Sequence, residues 1–99
     1  MIEQAGLDPT IHAVVRLRIT SVLATLDVDD SLSFPRLQSM LDLTSGNLAT
    51  HVRKLEEAGY VAVTQLGRGR TSKTTISLTD AGRTAFDTYR STLRSMLEP

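Results

Sequence analysis

The chain has 99 residues, and its 11 Lys and Arg balance its 11 Asp and Glu, so the formal net charge at pH 7 is zero. This length suits one small domain over residues 1–99, and 40% hydrophobic with 22% charged residues excludes a disordered tail. We find no apolar run near the ~18 residues of a membrane span and no basic and apolar leader, so we expect a cytoplasmic protein without membrane contact. The absence of cysteine excludes disulfides, thiolate nucleophiles and cysteine zinc sites.

The charges are unevenly distributed along the chain. Residues 1–50 carry 3 basic and 6 acidic side chains, a net charge of −3, whereas residues 51–99 carry 8 and 5, a net charge of +3. A polyanion would therefore dock on the second half. The alternative is that these basic residues are simply scattered over a solvated surface, since the net charge by itself does not distinguish the two.

The first predicted helix spans residues 9–26. Asp8 can cap free backbone N–H groups, and Pro9 suits the first helical position. Arg18 lies within the apolar stripe of this helix, where its stem can pack while its head reaches water, or where it can pair with a partner subunit. The stripe covers about half of the helix circumference, which is wider than one core contact requires. Its members are Ile11, Val14, Val15, Ile19, Val22, Leu23 and Leu26.

Two further predicted helices are joined by a tight turn. The second begins at Ser33 and Pro35, after a polar turn and a short strand at residues 31–33, and the third begins after Thr44 and ends before Gly59. The inward apolar faces are Leu37, Met40 and Leu41 in the second helix, and Leu48, Val52 and Leu55 in the third. Such a pair predicts a helix-turn-helix over residues 34–58.

The hydrophobic period changes from about 3.6 to about 2 after Gly59. Two strands around a turn at residues 67–70 predict a hairpin with a basic tip over residues 60–78. Thr79 can cap a last helix over residues 80–97. That helix has apolar residues at spacings typical of a seam along another helix, namely Phe86, Tyr89, Leu93 and Met96.

Four segments in this order resemble a known family. GNLATHVRKLEEAGYV at residues 46–61, RGR at 68–70, LTDAGR at 78–83 and IHAVVRLRI at 11–19 are similar to segments of the small MarR-type winged-helix transcriptional regulators. The resemblance covers residues 8–95. It implies an α+β winged helix-turn-helix fold and a DNA-binding homodimer whose first helix and C-terminal helix form the dimer interface.

The outer face of the third helix has the small polar residues that a helix in the major groove needs. Asn47 and Thr50 can hydrogen-bond base edges, Arg53 can contact guanine or phosphate, and the backbone N–H groups of residues 45–46 can approach a phosphate. Any surface helix has a polar face, but its position before a basic hairpin favours DNA contact. The candidate DNA-binding residues here are Ser45, Gly46, Asn47, Thr50, His51, Arg53 and Lys54.

The tip of the predicted hairpin adds Arg68, Arg70 and Lys73 to the candidate DNA-binding residues. No acidic residue interrupts them, and arginines can contact phosphates or enter a narrow minor groove. A solvated loop is the alternative, since hairpin tips are generally polar. The neighbouring third helix favours a wing that contacts DNA.

A second copy of the chain would cover the apolar surface that a domain of this size cannot bury. The candidate dimer-interface residues are Ile11, Val14, Arg18, Phe86, Tyr89, Leu93 and Met96. No residue set demands a pocket for a small-molecule effector.

An enzymatic function has little support in the sequence. His12 and His51 lie on different predicted helices, no glycine-rich loop follows a strand, and Asp8 with His12 is too small a set for a metal. We therefore expect no catalysis, metal or cofactor. The chain is predicted to be a sequence-specific transcriptional regulator that binds double-stranded DNA as a homodimer. The alternative is a winged-helix module for protein interaction, without specific DNA binding.

Overall fold

In a computed structural model, which describes residues 6–98, the chain forms four helices and one three-stranded antiparallel sheet. The elements are α1 Val14–Ala24, β1 Leu32–Ser33, α2 Phe34–Leu41, α3 Ser45–Glu57, β2 Val61–Leu66, β3 Lys73–Leu78 and α4 Asp80–Leu97. The strand order is β1-β3-β2, and the β2–β3 hairpin runs in register from Val61 opposite Leu78 to Leu66 opposite Lys73. This architecture confirms the predicted α+β winged helix-turn-helix. The expectation that the chain begins without a basic and apolar leader concerns residues 1–5, which lie outside the described residues.

Three helices begin where a hydroxyl side chain can cap them. The side-chain oxygens of Ser33, Thr44 and Thr79 each accept a hydrogen bond from the backbone N–H three residues later, at 3.2, 3.1 and 3.0 Å. Each bond satisfies a donor that the first helical turn leaves unpaired. The predicted starts of α2, α3 and α4 are therefore confirmed.

The end of α3 is set by Gly59, as predicted. Its φ is +82°, a conformation that residues with a Cβ rarely adopt. The N–H of Gly59 donates to the carbonyl of Glu56, and the N–H of Tyr60 donates to the carbonyl of Leu55, both at 2.9 Å. This pair of bonds is a Schellman motif, and it turns the chain directly from α3 into β2.

The first helix begins five residues later than predicted, at Val14 instead of residue 9. Asp8 does not cap it, because its Oδ1 accepts a hydrogen bond of 2.8 Å from the N–H of Thr10 and its Oδ2 accepts one from the hydroxyl of Tyr60. The first bond closes a local turn that competes with helix formation. The residue before α1, Ala13, has no side chain that could cap it.

The main core lies between α1, the helix-turn-helix and the sheet. Its buried members are Ile19, Leu23, Leu37, Leu41, Leu48, Val52, Leu55, Val61 and Ile76. Val15 and Leu78 are half-buried and pack against this core. Met40 differs from the prediction, since it is exposed while Leu37 and Leu41 of the same helix are buried.

A second, smaller core was not predicted. The segment of residues 7–11 packs Leu7 and Ile11 against Tyr89 of α4. Ile11, Phe86 and Tyr89 are only 0%, 6% and 2% exposed within one chain. The prediction that a single chain could not cover these three candidate interface residues is therefore wrong. Ile11 and Tyr89 are covered because the segment before α1 folds back onto α4 instead of extending the helix.

Arg18 has a contact that neither sequence interpretation included. Its guanidinium donates a hydrogen bond of 3.0 Å to the carbonyl of Leu41. That carbonyl belongs to the last residue of α2, where the helix leaves its acceptors unpaired. Arg18 thus attaches α1 to the first helix of the helix-turn-helix.

Gly82→Ala tests how closely α4 approaches the corner between α3 and β2. A Cβ at Gly82 would lie 2.0 Å from the carbonyl oxygen of Tyr60, so the backbone must move. We expect the free energy of unfolding, measured with urea, to fall by the upper end of the ~1–3 kcal/mol that overpacking costs. The control is Gly46→Ala, which meets no atom within 4 Å and gains up to about 1 kcal/mol of helix propensity. Equal losses in both variants would contradict this account.

Candidate nucleic-acid interface

The inner and outer faces of α3 differ sharply in burial. Leu48, Val52 and Leu55 are buried in the core. The candidate residues on the opposite side are exposed, namely Ser45, Gly46, Asn47, Thr50, Arg53 and Lys54. Only His51 among the candidates of this helix is half-buried. The helix therefore offers a polar, sterically open ridge of the kind that fits a major groove.

Two positions on this ridge have defined hydrogen-bonding properties. The Thr50 hydroxyl donates to the carbonyl of Gly46 at 3.0 Å, so its lone pairs remain free to accept a bond from an adenine or cytosine amino group. Around Gly46 itself, no heavy atom lies within 4 Å of where a Cβ would be. The backbone at the start of α3 is thus open to close approach by a phosphate.

His51 is held by a residue of α1. The Nη1 of Arg16 lies 3.1 Å from the Nδ1 of His51, and the Nε of Arg16 donates to the carbonyl of Thr10. Burial, followed by the nearby charges of Arg16 and Lys54, lowers the pKa of His51 below its usual 6.5. His51 is therefore a neutral side chain at pH 7. Sequence reasoning did not single out Arg16, because no local pattern relates residue 16 to residue 51.

The wing carries the predicted cations at its tip. Arg68, Arg70 and Lys73 are all exposed, and no Asp or Glu occurs between residues 61 and 79. The turn between the strands is compact, since Gly67 has a φ of +79° and a Cβ there would lie 2.8 Å from the carbonyl oxygen of Thr71. The tip is thus a positively charged surface without a carboxylate to repel a polyanion.

The segment before α1 holds together the elements that carry these surfaces. Tyr60, the residue directly before β2, donates a hydrogen bond from its hydroxyl to Asp8, and His12 Nδ1 lies 2.8 Å from the hydroxyl of Tyr89. The hydrogen bond to Asp8, then burial and the charge of Asp8, raises the pKa of Tyr60 above its usual 10.0. Polar contacts therefore link this segment to the end of α3 and to α4.

Within residues 6–98, no three His, Cys, Asp or Glu side chains lie close enough together to hold a metal ion. No helix in this described range is both long and apolar enough to cross a membrane.

The chain matches the family model of the winged helix DNA-binding domain over residues 15–97, and it belongs to this family. It is 40% identical over 79 residues to the uncharacterized protein MJ0432 of Methanocaldococcus jannaschii, covering 79% of this chain and 82% of that protein.

Solved structures share the same fold. The transcriptional regulator homologue of Pyrococcus horikoshii OT3 superposes with a TM-score of 0.81 and 29% identity, over 90% of this chain and 85% of that one. The S. aureus MepR–DNA complex gives a TM-score of 0.69 at 17% identity, over 96% of this chain and 71% of that one, a likeness of fold alone. The resemblance to small MarR-type winged-helix regulators is confirmed. The family and fold are those of transcriptional regulators, which are not enzymes.

Tyr60→Phe tests the contact between the segment before α1 and the end of α3. We expect the free energy of unfolding at pH 7 to fall by about 1 kcal/mol, the usual net value of one hydrogen bond. Because folded Tyr60 keeps its proton above pH 10.0 while the unfolded chain releases it, wild-type stability falls as pH rises from 10.0 through the raised pKa. Tyr60→Phe should lack this alkaline decrease in urea titrations.

Asp8→Asn is the matched control for this prediction. The amide has one acceptor oxygen where the carboxylate has two, so it can keep the bond from Tyr60 only by giving up the bond from the N–H of Thr10. It also removes the charge of Asp8, which adds to the hydrogen bond and burial in raising the pKa of Tyr60. It should therefore lower stability at pH 7 about as much as Tyr60→Phe, since each variant loses one hydrogen bond, and it should reduce the alkaline decrease without abolishing it. An alkaline decrease that persists unchanged in Tyr60→Phe would assign it to another group.

Proposed function

We propose that the chain is a sequence-specific transcriptional regulator that binds double-stranded DNA as a homodimer. The observation that carries this proposal is the exposed polar ridge of α3 beside a wing whose tip has three cations and no acid. A major-groove helix flanked by a basic hairpin is a combination that supplies both base readout and phosphate contact.

We assign base readout to the first two turns of α3. Asn47 can pair with adenine, Thr50 can accept from a base amino group, and Arg53 can bind guanine or a phosphate. The N–H groups at Ser45 and Gly46 support a phosphate contact at the start of the helix. Lys54, farther along the exposed side, adds attraction to the DNA backbone.

We assign the wing to phosphate or minor-groove contact. Arg68 and Arg70 are exposed on the turn between β2 and β3, and Lys73 is exposed as the first residue of β3, so all three cations lie at the surface and outside the core. Contacts of this kind position a protein on the duplex and act on all sequences similarly.

The homodimer proposal now rests on fewer side chains than the sequence suggested. Val14 is 76% exposed on α1, while Met96 and Leu97 are 47% and 72% exposed at the end of α4. Leu93 lies one turn earlier on α4 and is half-buried, so it adds to the apolar surface at this end of the helix. Arg18 is engaged with α2 and is not assigned to the interface. A two-fold axis through these apolar ends could place two α3 helices about 34 Å apart, one turn of B-DNA.

The test of the DNA-binding roles compares Asn47→Ala with Arg68→Ala. Each is measured on a duplex selected by the protein from a random pool and on a random duplex, over a salt series. Asn47→Ala should reduce the binding free energy by ~1–3 kcal/mol on the selected duplex and by little on the random one. Arg68→Ala should weaken binding to both duplexes alike. It should also lower the slope of log affinity against log salt concentration by about one unit, because one fewer counterion is released.

Arg90→Ala on α4 is the matched control, since it removes an exposed arginine that lies outside α3 and the wing. It should leave affinity for the selected duplex nearly unchanged. If Asn47→Ala instead weakened both duplexes equally and Arg68→Ala had no effect at any salt concentration, the proposed roles would be wrong. The protein-interaction module would then be the better description.

Leu97→Glu tests the proposed dimer interface. A carboxylate at this exposed apolar position would have to be desolvated in the interface, so light scattering at tens of micromolar protein should show a monomer. Binding to a palindromic duplex should weaken at the same time, because each half-site would then be bound independently. Val28→Glu is the control, since Val28 is 63% exposed but lies in the turn after α1. A wild-type chain that is monomeric in this measurement would contradict the proposal.

A further inference from the structure

A side-chain contact connects α1 to the candidate DNA-reading helix. Arg16 uses two edges of one guanidinium: its Nε donates to the carbonyl of Thr10, and its Nη1 lies 3.1 Å from the Nδ1 of His51. The guanidinium is planar and its donors form a rigid fork. The carbonyl of Thr10 therefore fixes the plane in which Arg16 meets the imidazole ring.

This contact determines which nitrogen of His51 carries the proton. A guanidinium has donors only and stays charged, so the Nδ1 that faces Arg16 must be the acceptor. The ring is then neutral, with its proton on Nε2, on the opposite edge from Arg16. His51 follows Asn47 by four residues, one turn along the same side of α3.

We propose that Arg16 is a positioning residue for DNA recognition, which holds His51 as a neutral ring with Nε2–H available as a hydrogen-bond donor to DNA. This inference rests on the proposed function for the identity of the partner.

Burial and two neighbouring cations also favour the neutral form of His51. Arg16 faces it from α1, Lys54 lies three residues later on α3, and Glu57 lines a cleft of about 370 Å³ together with both cations. Phosphates near an ordinary exposed histidine favour its protonated form. Here burial and two cations oppose protonation, so His51 contributes a directed donor and releases no counterion when DNA binds.

The first test is an NMR measurement on the 99-residue chain in the absence of DNA. Long-range ¹H–¹⁵N correlations of His51 should show a proton on Nε2 and none on Nδ1 at pH 7, with a titration midpoint below 6.5. Arg16→Met should raise that midpoint and Arg16→Lys should lose the fixed tautomer, while Arg90→Met should change neither. Circular dichroism identifies any variant that fails to fold. A proton on Nδ1 of the wild type, or an unchanged ring in a folded Arg16→Met, would overturn the positioning role.

The second test follows DNA affinity between pH 8 and pH 6 on a duplex selected from a random pool. The other histidine, His12, contacts Tyr89, and all chains carry His12→Gln so that His51 is the one histidine left. Affinity should be nearly constant with pH when Arg16 is present. In Arg16→Met it should be about tenfold weaker at pH 8, the loss of one directed bond, and should recover as pH falls because His51 then gains a charge.

Two conservative variants separate the two edges of the ring. His51→Gln can place an amide N–H near the position of Nε2, whereas His51→Asn can place an acceptor near Nδ1 but has no donor at the far edge. Affinity should therefore be higher for the Gln variant. Equal losses in both variants, or a pH profile that Arg16→Met does not change, would overturn the inference.

The outcomes also distinguish this inference from the proposed function. If the wild type selected no duplex, the proposed function and the partner named here would both fail, even with the ring held as described. If the wild type selected a duplex but the ring titrated alike with and without Arg16, only the positioning role would fail.

Discussion

The arrangement of the whole domain depends on how α4 is seated on the corner between α3 and β2. At that corner, the hydroxyl of Thr79 donates to the carbonyl of Gly59 at 2.6 Å, and the N–H of Thr79 donates to the carbonyl of Tyr60 at 3.0 Å. Gly82 lets the first turn of α4 lie against that same carbonyl, where a Cβ has no room. Since β2 leaves this corner and β3 returns to it, the contact sets α3, the wing and α4 at fixed angles. The exposed face of α3 and the tip of the wing need such a fixed geometry if they are to contact one duplex together.

The segment before α1 adds a second constraint, and it changes how much surface is left for a partner. Leu7 and Ile11 cover Tyr89, so the middle of α4 is part of the core of one chain. Apolar side chains remain exposed toward the end of α4, at Met96 and Leu97. An interface built there would be small and would depend on few contacts, in contrast to the long seam that the spacing of α4 suggested. The same segment is connected to α3 through Arg16 of α1, which donates to the carbonyl of Thr10 and contacts His51.

Local features of the sequence predicted most of the fold, and contacts distant in sequence account for what it missed. The capping hydroxyls, Gly59 and the change of hydrophobic period all act within a few residues, so they could be recognised without knowledge of the fold. Two contacts of the segment before α1 join residues separated by 52 and 77 positions, and the contact of α1 with His51 joins residues separated by 35. Asp8 illustrates the difference: next to Pro9 it is typical of a helix start, but its carboxylate is used by Tyr60 and by a local turn. The exposed ridge of α3 could be predicted from periodicity, whereas the role of Arg16 required the folded chain.

The balanced charge of the chain limits how the proposed regulator can bind. Affinity for DNA without regard to sequence comes from cations that displace counterions. Here α3 and the wing carry five of the 11 basic residues, and α3 also carries Glu56 and Glu57. His51, held neutral, adds no charge to that total. Attraction to random DNA should therefore be modest, and a larger share of the binding free energy must come from base contacts. Two recognition helices joined in a dimer raise affinity without adding charge, because the second half-site is bound at high effective concentration. Weak binding to random DNA and the need for two half-sites together favour discrimination between DNA sequences over high affinity. A regulator needs such discrimination because many non-specific sites compete for it.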